Sequence, residues 1–145
     1  MVDLHNRGFL YADLRPGNLR VVGRPKRRIR VLDAGGCVPA DTASDRFPHV
    51  PSYLPPQAFQ AMERGARVRP SAALVAAMAG RTLYEVATGQ APKAGAAVDV
   101  VRLLRSAVSP PVAEVIAALA GGDYPHCAQA LATLADRAKR RGPRA

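Results

Sequence analysis

Residues 8–18 read GFLYADLRPGN, and the next acid downstream is Asp33, inside VLDAGG. Asp13 and Asn18 stand five positions apart across Pro16-Gly17, a pair that bends the backbone into a tight loop. One carboxylate and one amide oxygen facing each other suit Mg²⁺, a hard cation that keeps waters and completes its shell with phosphate oxygens. Asn18 and Asp33 could form that pair, and Asp13 nearby could orient a hydroxyl for attack. Spacing alone leaves a second reading equally open. Asp13 and Asn18 then do no more than cap turns, and Asp33 ends a strand.

The elements that must position these residues can be read around them. LRVV (Leu19–Val22) and IRVL (Ile29–Leu32) are short β-branched runs separated by Gly23-Arg24-Pro25 and a basic turn. They predict a β-hairpin with its polar tip in water, which would return Asp33 close to Asn18. Residues 34–55 carry Gly, Pro, Asp and Ser with little periodicity and predict a long loop, a feature that in compact domains is usually functional.

Helices are expected from there on. Pro55-Pro56 opens a short one reaching Arg64, because proline is tolerated in a first turn. Ser71 suits the N-cap of a helix running to Thr88 and ending at Gly89. Leu74, Val75, Met78, Leu83 and Val86 make that helix apolar nearly all round, so it should be the buried central one. Further helices are expected at 96–105, 111–120 and 125–140, with Val112, Val115, Ile116 and Leu119 recurring at three- and four-residue steps. The fold class is therefore mainly α, within α+β: a helical bundle with one small hairpin.

Composition bounds the rest. The 145 residues are 48% hydrophobic but only 5% aromatic, with no Trp, so the core is expected to be built from small side chains. The net charge is +10, and 18 of the 21 basic residues are Arg. Such an excess can mark nucleic-acid binding. Denser groups occur only at Arg24–Arg30 and Lys139–Arg144, and no aromatic groups interleave with them for base stacking, which argues against nucleic acid. An Arg-rich, Lys-poor, Ala-rich chain also fits the codon usage of a GC-rich genome.

Cys37 and Cys127 share no metal or redox spacing and read as free buried thiols in a reducing cytoplasm. The N-terminus lacks the pattern of a signal peptide. The longest apolar stretch, Ala72–Gly80, is far short of the roughly 20 residues a membrane span needs. A cytoplasmic protein without a membrane segment is expected. His5 and His126 have no metal-spaced partners and read as surface or capping groups, and His49 reads as an exposed loop residue that could contact substrate. Thr42, Ser44 and Ser52 are candidate phosphorylation positions.

Taken together, these segments resemble the bacterial Hanks-type serine/threonine protein kinases, specifically their C-terminal lobe. YADLRPGN is similar to the catalytic loop H-R-D-L-x-x-x-N, and LDAGG to the strand-end metal motif D-F-G. HVPSYLPPQAF (49–59) resembles the end of the activation segment. GRTLYEVATGQAP (80–92) resembles the second half of the central helix, and SPPVAEVIAALAGGDYPHCAQALATL (109–134) the last two helical elements. YLPPQ and LYEVATG separate the chain from aminoglycoside-phosphotransferase-like and quinone-biosynthesis-type kinases, which have similar loops.

The resemblance implies one lobe over residues 1–138, with the catalytic loop at 11–18, the D-F-G-like motif at 33–35 and the activation-segment-like stretch at 34–57. The helical part spans 56–138, and 139–145 is a basic tail. It implies that Asp13 accepts or orients the substrate hydroxyl proton and that Arg15 neutralises charge on the transferred phosphate. Asn18 and Asp33 would hold the Mg²⁺ that bridges the phosphates of ATP.

The departures are specific. Tyr11 and Ala12 replace the His and Arg of the loop, so a phosphorylated activation segment would find no cation there. Ala34 replaces the Phe of D-F-G. Val75 stands in place of an acid that bonds the catalytic loop, which predicts a less rigid loop. Gln57 and Tyr124 replace a Glu–Arg ion pair, both neutral together.

No glycine-rich phosphate loop, strand Lys or helix Glu lies among the twelve residues before Asp13. Alone, the chain is expected to bind ATP poorly and to transfer phosphate negligibly. A protein partner or a separate N-lobe chain is implied, with self-association through an uncovered lobe face as a further possibility. A pseudokinase-like protein-binding scaffold is the alternative to a partial kinase.

Overall fold

The structure, a computed structural model, describes residues 2–25, 27–40 and 47–140. Thr42, Ser44, Lys26 and most of the basic tail lie outside the described residues. Among the described residues, six helices and two small antiparallel sheets make a mixed α and β fold. The elements run α1 (Val2–Asn6), β1 (Phe9–Tyr11), β2 (Leu19–Val22), β3 (Arg28–Val31), β4 (Cys37–Pro39), α2 (Pro56–Glu63), α3 (Ala72–Thr88), α4 (Val100–Leu104), α5 (Pro110–Gly121) and α6 (Cys127–Arg140). Single 3₁₀ turns sit at Pro16–Asn18, Ala34–Gly36 and Pro51–Tyr53.

The hairpin forms as its sequence dictates, in the register Leu19↔Val31, Arg20↔Arg30, Val21↔Ile29, Val22↔Arg28. Alternation then sorts the side chains. Leu19, Val21, Ile29 and Val31 share one face, while Arg20, Arg28 and Arg30 share the other. Val21 and Ile29 are 63% and 69% exposed, so most of the apolar face is uncovered within this chain. Like charges meet across the ribbon at Arg20↔Arg30, an arrangement tolerated because both are in water.

The second sheet corrects the expectation of a featureless 34–55 loop. Its strands pair Phe9↔Pro39, Leu10↔Val38 and Tyr11↔Cys37. Three-residue strands are too short to show a period, and β4 ends on a proline that can occupy only an edge. Ala40 N–H donates to the Gly8 carbonyl at 2.8 Å and extends the pairing by one bond.

The central helix α3 forms between its expected signals. Ser71 Oγ accepts from Leu74 N–H at 3.1 Å, and Gly89 takes the left-handed conformation, φ 71°, that closes the C-terminus. Leu74 to Thr82 and Tyr84 are buried, but Leu83 and Val86 face outward, so the helix is not covered all round as expected. Its partner is α5. A Cβ on Gly80 would lie 2.3 Å from the Ala120 backbone nitrogen and 2.6 Å from the Leu119 carbonyl carbon. Only glycine lets the two helices cross this closely.

Among the described residues, four apolar clusters fill the interior. One gathers Ala12, Phe47, Leu54, Leu74 and Met78 beneath the 47–57 stretch, and another Tyr84, Leu103, Ala113 and Ile116 between α3, α4 and α5. A third cluster, Tyr11, Leu14 and Ala79, seats the 11–18 loop on α3. α4 is shorter than the expected 96–105 helix because Asp99 caps it, accepting from Arg102 N–H at 3.0 Å. The cysteines are free, as expected, but half-buried rather than buried. No helix among the described residues is long and apolar enough to cross a membrane.

Candidate functional site

The 11–18 loop leaves β1 at Tyr11 and is held from three sides. Ala12 N–H donates to the Gly36 carbonyl at 2.7 Å, tying it to the 34–36 turn. Thr82 Oγ1, fully inside α3, lies 2.8 Å from the Leu14 carbonyl and 2.9 Å from its own helix's Met78 carbonyl, so one proton is shared between them. The loop then closes with the Pro16–Asn18 turn, where Asn18 N–H donates to the Arg15 carbonyl at 3.0 Å. The loop is therefore anchored although Val75, buried at the position expected to anchor it, has no polar group to offer.

Inside this loop three of the expected site residues meet. Asn18 is buried, and its side-chain N–H₂ donates to both the backbone carbonyl and the carboxylate Oδ2 of Asp13, at 2.9 and 2.8 Å. Arg15 Nε lies 3.4 Å from Asp13 Oδ1, an ion-pair distance without hydrogen-bond alignment. Both amide hydrogens of Asn18 are committed, which assigns the remaining oxygen, Oδ1, as an acceptor.

Asp33 joins from the hairpin. Leu32 N–H donates to the Asn18 carbonyl at 2.9 Å, so Asp33 follows one residue after a direct backbone link to Asn18. Its Oδ1 accepts from Gly35 N–H at 2.8 Å and caps the 34–36 turn, and the exposed residue keeps Oδ2 outside that bond. The capping reading describes Asp33 through Oδ1. Among the described residues no group of three or more His, Cys, Asp or Glu could hold a metal ion. The carboxylate and amide side-chain oxygens of this loop and turn are those of Asp13, Asn18 and Asp33.

Beneath them lies Tyr11, 0% exposed. A Cβ on Gly36 would come within 2.8 Å of Tyr11 Cε2 and 3.0 Å of Asp13 Cβ, so glycine is what allows the turn to lie flat on the ring and the loop. The Tyr11 hydroxyl has no hydrogen-bond partner among the described residues. Burial, then the Asp13 carboxylate, pushes its pKa up, so it is a neutral donor at ordinary pH.

The 47–57 stretch is anchored by residues the sequence reading did not single out. Arg81 is 0% exposed and sends Nε to the Ser52 carbonyl at 2.8 Å, Nη1 to Ala96 at 2.9 Å and Nη2 to Lys93 at 2.7 Å. Burial pulls its pKa below the ordinary guanidinium value, yet such a fork remains a charged donor at neutral pH. The Tyr53 hydroxyl donates to Glu85 on the next turn of α3. Gln57 is exposed, and Tyr124 packs against Ala76, Val115, Leu119 and Ala130, so this segment is secured by Arg81 and Tyr53. The signal for Arg81 was present in principle: a lone cation in an otherwise apolar helical run needs acceptors from elsewhere in the chain.

The three histidines behave as capping or loop groups. His126 Nδ1 accepts from Gln129 N–H at 3.3 Å at the start of α6, His49 Nδ1 pairs with the Phe47 carbonyl at 2.9 Å, and His5 is exposed. Compared with protein-family models and with curated protein sequences, the chain matches none.

Proposed function

We propose that this chain is a protein-kinase-like C-terminal lobe, the half of an ATP-dependent phosphotransferase that holds the acceptor hydroxyl and the phosphate-bound cation. The observation that carries this reading is the double hydrogen bond from the Asn18 amide to Asp13. It fixes the carboxylate that would orient a hydroxyl and leaves a single amide oxygen free for a cation. Oxygen donors alone suit Mg²⁺, and two donors are what this ion takes from protein when phosphate and water supply the rest. Asn18 Oδ1 and Asp33 Oδ2 would hold it. The bound ion would supply charge neutralisation to the phosphates.

The chain's own residues would do the following. Asp13 Oδ1 or Oδ2 accepts the hydrogen bond of a serine or threonine hydroxyl and aims its oxygen. Arg15, half exposed beside Asp13, offers a guanidinium fork to the moving phosphate. Thr82 and Asn18 keep the loop from shifting during either task. No glycine-rich loop lies among residues 1–12, so transfer relies on a nucleotide-clamping lobe supplied outside these 145 residues. The two free thiols suit a reducing, cytoplasmic setting.

Titrating the chain with Mn²⁺, with and without ATP, and following free Mn²⁺ by electron paramagnetic resonance tests the reading. One site is expected, weakened at least about tenfold in Asp33→Ala and unchanged in Asp123→Ala. Absence of any site sensitive to Asp33 would sink it.

A second reading, a protein-binding scaffold without transfer, is favoured by the uncovered apolar face of the hairpin. That face continues into a groove of about 500 Å³ bounded by Leu14, Leu83, Leu131 and Leu134. On the scaffold reading, Val21→Ser with Ile29→Ser abolishes function in cells while Asp33→Ala leaves it intact. The reverse pattern selects the phosphotransferase.

A further inference from the structure

The β2–β3 ribbon carries one strand that is open to solvent throughout. All four residues of β3, Arg28–Val31, are exposed. Leu32 N–H donates to the Asn18 carbonyl, and antiparallel ladders alternate between bonded and non-bonded pairs. The Arg20↔Arg30 and Val22↔Arg28 pairs therefore hold the ladder bonds, while Ile29 and Val31 turn their N–H and carbonyl groups to the outer edge. Among the described residues the sheet has no third strand to take them. An open edge of this kind is a template for another strand. The two faces define what that strand must carry. Arg28 and Arg30 share one face with Arg20, and none of the three forms an ion pair among the described residues. Ile29 and Val31 lie on the other face and line the groove bounded by Leu83, Leu131 and Leu134.

We propose that the β3 edge takes an extended segment of a partner protein in which acidic and β-branched apolar residues alternate, adding a third strand to the ribbon. This rests on the protein-binding reading of the hairpin face and is independent of the cation site. Each acid of such a segment stands beside Arg28 or Arg30, and opposite charges directly across a ladder stabilise it. Its apolar residues extend the Ile29–Val31 face over the groove, and its backbone satisfies the edge groups of both residues. A second copy of this chain does not fit, because pairing β3 with β3 sets arginine against arginine. Single-stranded nucleic acid would engage the arginines alone, leaving the edge groups unpaired and Ile29 and Val31 in water. The ribbon, residues 19–31, also holds no aromatic side chain on which a base could stack.

A fluorescein-labelled peptide of alternating glutamate and valine, titrated with the full chain and followed by fluorescence anisotropy, tests the inference. Saturable binding is expected. A peptide of the same composition, with its glutamates and valines in separate blocks, should bind at least about tenfold more weakly. Ile29→Pro removes an edge N–H without touching a ladder bond. It should weaken binding roughly fivefold or more, the worth of one backbone hydrogen bond. Arg28→Glu with Arg30→Glu should abolish binding of the glutamate peptide and confer binding of an alternating lysine–valine peptide, a swap that a misfolded variant cannot produce. No binding of the alternating peptide, equal binding of the blocked one, indifference to Ile29→Pro or failure of the charge swap each overturns the inference. A thymidine oligonucleotide that binds tighter than the peptide and is insensitive to Ile29→Pro overturns it in favour of nucleic acid. If the peptide fails while Val21→Ser with Ile29→Ser still abolishes function in cells, the strand inference falls and the protein-binding reading stands. If neither effect is seen, both fall.

Discussion

Thr82 Oγ1 and the Leu14 carbonyl oxygen lie 2.8 Å apart across 68 positions of sequence, and this bond fastens the candidate catalytic loop to the central helix. The hydroxyl sits where the chain has no acid to do the same work, since Val75 is buried and apolar. Thr82→Val keeps the shape and removes the donor. The loop carbonyl is then left without it, at a cost of about 1–2 kcal/mol. Chemical denaturation should show the midpoint falling with an unchanged slope, and amide exchange in residues 12–18 should speed up. Serine at this position should restore most of the loss.

Arg81 does for residues 47–57 what Thr82 does for the loop, through one bond to Ser52, and its other two bonds tie down the segment after α3 at Lys93 and Ala96. Arg81→Met fills similar volume but strands the carbonyls of Ser52, Lys93 and Ala96. We expect a loss of about 3 kcal/mol or more, with Arg81→Lys recovering less than half because one ammonium cannot reproduce the planar fork. Limited proteolysis should open cleavage within 47–55 and 91–98 before the helices are cut. Cleavage elsewhere first would show that the guanidinium does not hold these segments.

Gly80 sets the distance between α3 and α5. Adding a methyl group there drives it into the Ala120 nitrogen and Leu119 carbonyl carbon, backbone atoms that cannot rotate away. Gly80→Ala should therefore lower Tm by roughly 10 °C, the equivalent of about 3 kcal/mol of overpacking, despite alanine's better helix propensity. Ala73→Gly, on an exposed position of the same helix, should cost only about 1 kcal/mol. Thermal melts of both variants check the contrast.

Alkaline pH should weaken the fold through Tyr53 and Tyr11. Burial raises both phenol pKa values above 10, with the Glu85 hydrogen bond adding to the effect at Tyr53. Their native forms hold protons that the unfolded chain releases above pH about 10, so stability is level below that pH and falls as pH rises past it. Tyr53→Phe loses the Glu85 bond and starts from a lower Tm at neutral pH. Its decline between pH 10 and 11 should be shallower than that of the parent chain. Parallel declines would show that Tyr53 ionises as freely in the native state as in the unfolded one.

The sequence by itself determined the local elements and the short-range part of the site. Ser71 and Gly89 bracket α3 because a cap and a left-handed glycine are written in adjacent residues, and the β2–β3 hairpin follows from two β-branched runs and a turn. Asp13, Arg15 and Asn18 meet because five residues around Pro16-Gly17 have little other way to fold. Only the tertiary structure decided what holds that loop in place. The β1–β4 pairing, the Thr82 anchor and the reach of Arg81 to three distant carbonyls all join residues far apart in the chain. Backbone acceptors look identical at every position of a sequence. Which of them a buried donor reaches, or fails to reach, is fixed only when the helices pack.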